Sequence, residues 1–288
     1  MEQQPTPVGW WREWVAVMSA IPFPFQQLQP DNYLVIDIET GYAPDDAISG
    51  MVDDWQPPGN IKDPEKIQAR RAEFEAEARV KSALTDAAPI IAVAIKGQVG
   101  LEQHGLVLHA MGQCPMPALE AQGVKVVGAT SEGLMLQMLS AVLGQLADNQ
   151  TLLAGHNVLL FDLPKLRNRL IRNRAAIPVS LQPGDAIEHQ PVYDTMKHAR
   201  YFSAEAGKAG NNPFFGFKRL EQVLGLSNPG HKGIMSGEDV PVKHAEAMAA
   251  LASGDAEKHA ELATLIVAYN FQDVVQEEKA FRLMTGRY

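Results

Sequence analysis

A single cysteine, Cys114, occurs among the 288 residues, so neither an internal disulfide nor a cysteine-built zinc cage is available, and a reducing, cytosolic setting is expected. Positive charge is scarce as well. Lysine and arginine total 25 against 34 acids, a formal charge of −9, so no global basic field draws in duplex nucleic acid. A polyanionic substrate must then be met locally, by metal ions or a small cationic patch. Long apolar runs are missing too: Trp14 to Phe25 is broken by Pro22 and Pro24 and is too short to span a membrane. With Glu2 and no lysine or arginine before Arg12, the start of the chain also fits a secretory signal peptide poorly, and no membrane partner is expected. What is present is ordinary for a soluble enzyme, with 46% hydrophobic and 20% charged residues, which excludes a disordered or collagenous chain.

Residues 1–31 read as an N-terminal extension, and the rest as one mixed α/β domain, 32–288, with an insertion at about 42–88. Tyr33 to Thr40 is β-branched and apolar on both faces, as a buried central strand should be. Gly41 to Gly59 reads as irregular, being rich in proline, glycine and aspartate. Asp63-Pro64-Glu65 opens a helix running to about Ser82, with ten charged residues among the twenty from Asp63, so it reads as a largely solvated arm. Strands follow at Pro89 to Lys96, Gly105 to His109, Lys125 to Gly128, Thr151 to Ala154 and Val192 to Asp194. Helices are expected from Ser131 to Leu146, with Leu134, Met138, Ala141 and Val142 inward, and from Asp162 to about Arg174 with Asp162 as cap. A long helix from Ala256 to about Met284 closes the chain.

Three features carry chemistry. Strand alternation puts Asp37 and Glu39 on one face, about 7 Å apart by the strand rise, with no lysine or arginine near them in sequence. Burying one unpaired carboxylate costs several kcal/mol and two repel each other, so the pair demands a cation or a raised pKa, unless the strand end is solvated. Hard carboxylate oxygens select magnesium, manganese or calcium over zinc. In the last helix, Leu262, Leu265, Ile266 and Tyr269 define an inward stripe on which Asp273 falls, where a core residue belongs. The third is Gly155-His156-Asn157-Val-Leu-Leu-Phe161-Asp162, directly after an apolar strand, where glycine permits close backbone approach.

Together, Asp37-Ile-Glu39-Thr40-Gly41, His156-Asn157 with Phe161-Asp162, and Tyr269-Asn-Phe-Gln-Asp273 resemble, in order, the three motifs of the DEDD superfamily of 3′→5′ exonucleases. Tyrosine four residues before the last aspartate, with Ala268 where the histidine subclass places its histidine, resembles the tyrosine subclass, as in proofreading domains of family B DNA polymerases. The resemblance covers roughly Asn32 to Phe281 and leaves residues 1–31 and the insertion unexplained.

It implies a ribonuclease H-like fold: a mixed five-stranded sheet, its first three strands antiparallel, flanked by helices. It also implies that Asp37, Glu39, Asp162 and Asp273 hold two divalent cations, Mg2+ or Mn2+, that Tyr269 orients the attacking water, and that Ile38 and Thr40 border the terminal nucleotide. His156, Asn157 and Phe161 lie near the cleft by the same analogy, and Lys232 resembles a basic position before the last helices. Phe214 and Phe215, beside a glycine-rich loop, offer stacking surfaces for single-stranded nucleic acid, DNA ahead of RNA. Two other readings stay open: a phosphodiesterase for short oligoribonucleotides or signalling nucleotides, which the acidic charge suits, and a catalytically silent binding scaffold.

Overall fold

The computed structural model describes residues 32–147, 151–182, 192–204, 215–226 and 235–287. A mixed six-stranded sheet forms its centre, in the order β4-β3-β2-β1-β5-β6. Here β1 is Tyr33–Thr40, β2 Ile90–Val99, β3 Glu102–His109, β4 Lys125–Gly128, β5 Leu152–Gly155 and β6 Val192–Asp194. β1, β2 and β3 pair antiparallel, β4 runs parallel to β3, β5 parallel to β1, and β6 parallel to β5. The sheet thus has six strands instead of five, because β4 takes up the outer edge of β3 from Leu106 to His109, whose backbone groups would otherwise go unpaired.

Among the described residues the α-helices are, in chain order, α1 Asp45–Asp53, α2 Pro64–Ser82, α3 Pro117–Glu120, α4 Glu132–Leu146, α5 Asp162–Arg172, α6 Thr195–His198, α7 Phe217–Val223, α8 Val240–Ser253 and α9 Ala256–Met284. Helices cover both faces. On one lie α4 (Glu132–Leu146) and α5 (Asp162–Arg172), which pack Met135, Leu136, Leu139, Leu143, Leu163, Leu166 and Leu170 against Leu34, Ile36 and Ile38. The inward face of α4 differs from the sequence expectation by one position: Leu134 is exposed, and Met135, Leu136 and Leu139 point in. Each such fully buried side chain stabilises by roughly 1.5–3 kcal/mol. On the other face lies α9 (Ala256–Met284), whose Ala263, Ile266, Val267, Phe271, Val274 and Phe281 pack on Tyr33, Val35, Ala94 and Val107. Alternation along β1 therefore directs its odd-numbered residues, Asp37 and Glu39 included, toward the α9 face.

The insertion is more ordered than its composition suggests. Asp45–Asp53 forms helix α1, with Asp45 and Asp46 in the first turn where the helix dipole favours acids. Pro64–Ser82 forms α2, with the Asp63 side chain accepting from Glu65 N at 3.0 Å, as expected. The first helix meets the second through an Arg79–Asp45 ion pair, and Trp55, just beyond its end, packs its ring near that of Phe74. At the base, Thr40 Oγ1 donates to Ala83 O at 2.9 Å, Ala43 N to Ser82 Oγ at 3.1 Å, and Gly41 N to Pro89 O at 3.0 Å.

The returning chain is clamped to α5. Lys165 Nζ donates to Thr85 O, while Arg169 Nη1 reaches Asp86 O and Ala87 O. Arg169 also forms a two-point ion pair with Glu132, whose Oε1 takes the Ile90 N–H at 2.8 Å as well. Gly97 to His104, left between the strands expected at Pro89 to Lys96 and Gly105 to His109, instead extends both into a long hairpin, closed at Gly100, whose φ of 61° is costly for other residues. No helix among the described residues is long and apolar enough to cross a membrane.

Candidate metal centre

β1 and β5 are parallel neighbours of unequal length, and that inequality makes the site. Their pairing covers only Tyr33–Val35 with Leu152–Ala154, so β1 runs on beyond its neighbour with its next backbone groups open. Asp162, first residue of α5, fills the opening: its Oδ1 accepts the Ile38 N–H at 3.2 Å. The Asp162 carboxylate is therefore tied across to β1 and does not cap its own helix, whose N-cap is Phe161. Gly155 lets the strands close up here, since a Cβ in its place would stand 2.9 Å from Ile36 O and 3.0 Å from Val158 Cβ.

On the opposite face α9 supplies Asp273. One carboxylate oxygen from each of Asp37, Glu39 and Asp273 lies within 4.8 Å of the others, a grouping able to hold a metal ion. Asn270, fully buried one turn earlier on α9, donates Nδ2 to Asp37 Oδ2 at 2.6 Å and so fixes that carboxylate. Tyr269 hydrogen-bonds the Asp273 carboxylate, four residues away on the helix.

Electrostatics show how crowded this centre is. Burial raises the pKa of Asp37 well above the ordinary range and Asp273 adds to it, against the opposing hydrogen bond from Asn270. Glu39 is raised by burial and then by Asp37, Asp273 and Asp162, and Asp162 by burial and Asp37. Burial pushes Asp273 up to about 7. The Tyr269 hydroxyl is held far above its ordinary range by burial and by Asp273, Glu39 and Asp37, so it remains a protonated donor at neutral pH. Among the described residues, no lysine or arginine appears in the field at Asp37, Glu39 or Asp162. All the donor atoms are hard oxygens, a set that fits Mg2+ or Mn2+.

Neither a protein-family model nor a curated protein matches the chain. The residues of the site therefore carry the reading of function by themselves.

The other residues singled out in the sequence take varied places. Ile38 buries its side chain in the core and offers only its backbone to the site, and Thr40 is buried with its hydroxyl on Ala83. His156 sets Nδ1 3.0 Å from Thr195 Oγ1 and its ring edge-on to Phe217, and burial pulls its pKa down to about 4, so it is neutral. Asn157 adopts a left-handed φ of 61°, and its side-chain oxygen is buried with no hydrogen-bond partner. Phe161 packs at the rim of the core. Phe215 is buried in a cluster with Leu220, Ala280 and Met284. Phe214 and Lys232 lie outside the described residues.

Three contributors escaped the sequence reading. Asn270 orients Asp37. Asp194 organises the loop before Asp162, accepting from Asn157 N and Leu159 N, each at 3.1 Å, as well as from Met196 N at 3.0 Å. Its position immediately before a helix start was the available signal. The third is Glu277, one turn beyond Asp273 and 5% exposed.

Proposed function

We propose that this protein is a metal-dependent 3′→5′ exonuclease of ribonuclease H-like fold, releasing nucleoside 5′-monophosphates from single-stranded DNA, with RNA as the second substrate to test. The observation that carries the proposal is the meeting of Asp37 and Glu39 from β1 with Asp273 from α9 inside 4.8 Å, with Asp162 hydrogen-bonded to the same strand. The ordered motifs of the sequence supply the direction and substrate class. The antiparallel β1–β2–β3 unit with β5 parallel to β1 agrees with the fold that the motifs imply.

Asp37, Glu39, Asp162 and Asp273 would hold the divalent cations. Such ions neutralise phosphate charge and make bound water acidic enough to attack at neutral pH. The chain's own residues do the positioning. Asn270 holds one oxygen of Asp37 and the Ile38 N–H holds one of Asp162, leaving their other oxygens for the cations. Tyr269, protonated and anchored on Asp273, offers a hydroxyl at the rim of the carboxylate group, suited to orienting water and not to removing its proton. The base of the insertion, anchored at Thr40 and Gly41, lies beside the end of β1 and forms one border of the site.

The proposal is tested with 5′-labelled single-stranded DNA and RNA of one sequence, incubated with Mg2+, Mn2+ or EDTA beside Asp37→Ala. Stepwise shortening that is lost with EDTA and in the variant is expected. No shortening of either strand with any metal would refute it.

A further inference from the structure

Glu277 is the outlier of helix α9. It follows Asn270 by seven residues and Asp273 by four, which puts all three on the face turned to the sheet, and it is 5% exposed. Its carboxylate accepts the backbone N–H of His156 at the end of β5, while Oε2 is buried with no hydrogen-bond partner. The charges acting on it are, in order, those of Asp37, Asp162 and Asp273. Asn270 shows the same pattern: its Nδ2 is committed to Asp37 and its Oδ1 is buried without a partner.

A buried carboxylate oxygen with no donor, set among three more carboxylates, is among the costliest arrangements a fold can hold, and a cation is what relieves it. Four carboxylates, Asp37, Glu39, Asp162 and Asp273, already make up the proposed cation site. A fifth on the same face has no packing reason, since leucine or methionine would fill the position without charge.

We propose that Glu277 is a fifth anionic group of the divalent-cation centre, adding its charge beside Asp37 and Asp162 and thereby setting the affinity with which the centre retains its cations. This rests on the carboxylate group being a cation site. Glu277 is a positioning residue in the sense that it acts on the substrate only through the bound ions.

Glu277→Gln is the informative substitution, because glutamine keeps an oxygen to accept from His156 N and removes only the charge. Mg2+ and Mn2+ affinity is measured by titration calorimetry and by metal-induced thermal stabilisation, for wild type, Glu277→Gln, Glu277→Asp and Asp37→Asn. Expected is a wild-type stabilisation by metal that Asp37→Asn abolishes, with Glu277→Gln binding about tenfold more weakly or worse, as loss of a unit charge near a divalent ion requires. Glu277→Asp, which keeps the charge, should recover part of the affinity. Equal cation affinity in wild type and Glu277→Gln overturns the inference and leaves the four-carboxylate reading standing. Absence of metal stabilisation in the wild type overturns that reading as well. Should Glu277→Gln not fold, wild-type crystals soaked in Mn2+ decide: an anomalous peak with the Glu277 carboxylate turned toward it supports the role, and a carboxylate turned away refutes it.

Discussion

Replacing Asp273 by asparagine should stabilise the metal-free protein while destroying the proposed cation site. The ordinary pKa of 3.8 is pushed up to about 7 in the fold, chiefly by burial. Because the folded state holds the proton more tightly than the unfolded chain, the stability from this group is fully present below pH 4 and is lost as pH rises through 7. With 1.36 kcal/mol per pH unit of difference, the loss reaches about 4 kcal/mol at pH 8, of which about 3 kcal/mol accrues between pH 5 and pH 8. Asparagine keeps an oxygen for the Tyr269 hydroxyl and carries no charge, so it avoids that loss. Thermal unfolding in EDTA, followed for wild type and Asp273→Asn at each pH, reads this titration together with the part of the Asp37 and Glu39 shifts that the Asp273 charge causes, which has the same sign. The Tm advantage of Asp273→Asn should grow from small at pH 5 to about 5–10 °C at pH 8, at a few degrees per kcal/mol for a chain of this size. Added Mg2+ should raise the wild type at pH 8 and leave the variant nearly unmoved. A difference that does not change with pH, or a variant less stable than wild type at pH 8 in EDTA, would refute the reasoning.

Arg169→Met should cost about 3–5 kcal/mol in denaturant unfolding, since it strands the Glu132 carboxylate, 12% exposed, and frees the carbonyls of Asp86 and Ala87. A loss below 1 kcal/mol would mean that the clamp on the returning insertion contributes little. Gly155→Ala places a methyl against the Ile36 carbonyl and should lower stability by roughly 1–3 kcal/mol, with chemical-shift changes centred on β1 and α5. His109, wholly buried with neither ring nitrogen hydrogen-bonded, has its pKa pulled to about 4 by burial. The unfolded chain then binds the extra proton, so His109 costs stability as pH falls from 6.5 toward 4, about 2 kcal/mol by pH 5. His109→Leu should lose correspondingly less stability than wild type between pH 7 and pH 5, and an equal loss would contradict this.

How far the site could be read in the sequence follows from which forces are local. Asp37 and Glu39 stand out because strand parity is a period of two that no tertiary contact can alter, and Asp273 because it interrupts an apolar helical stripe. Glu277 obeys the same helical spacing but stands in Gln276-Glu277-Glu278-Lys279, which composition reads as a solvated run. Its burial comes from the packing of α9 on the sheet, which nothing in the local sequence marks. The phase of α4 was ambiguous for a related reason: Leu134, Met135, Leu136, Met138 and Leu139 are apolar nearly all round, so several faces fit equally well. The clamp of Arg169, Glu132 and Lys165 joins segments some forty to eighty residues apart, and nothing local marks it. Asp162 reads as a helix cap in sequence, and the strand-length difference that draws it to Ile38 exists only in the folded sheet.

The most direct test of the central claim is the identity of the first product. A single-stranded DNA labelled at its 3′-terminal nucleotide is given to the purified protein with Mg2+, with Asp37→Asn prepared in parallel. Release of the labelled nucleoside 5′-monophosphate by the wild type alone, before any longer fragment appears, is the expected result. Longer internal fragments as first products, or equal release by Asp37→Asn, would contradict it.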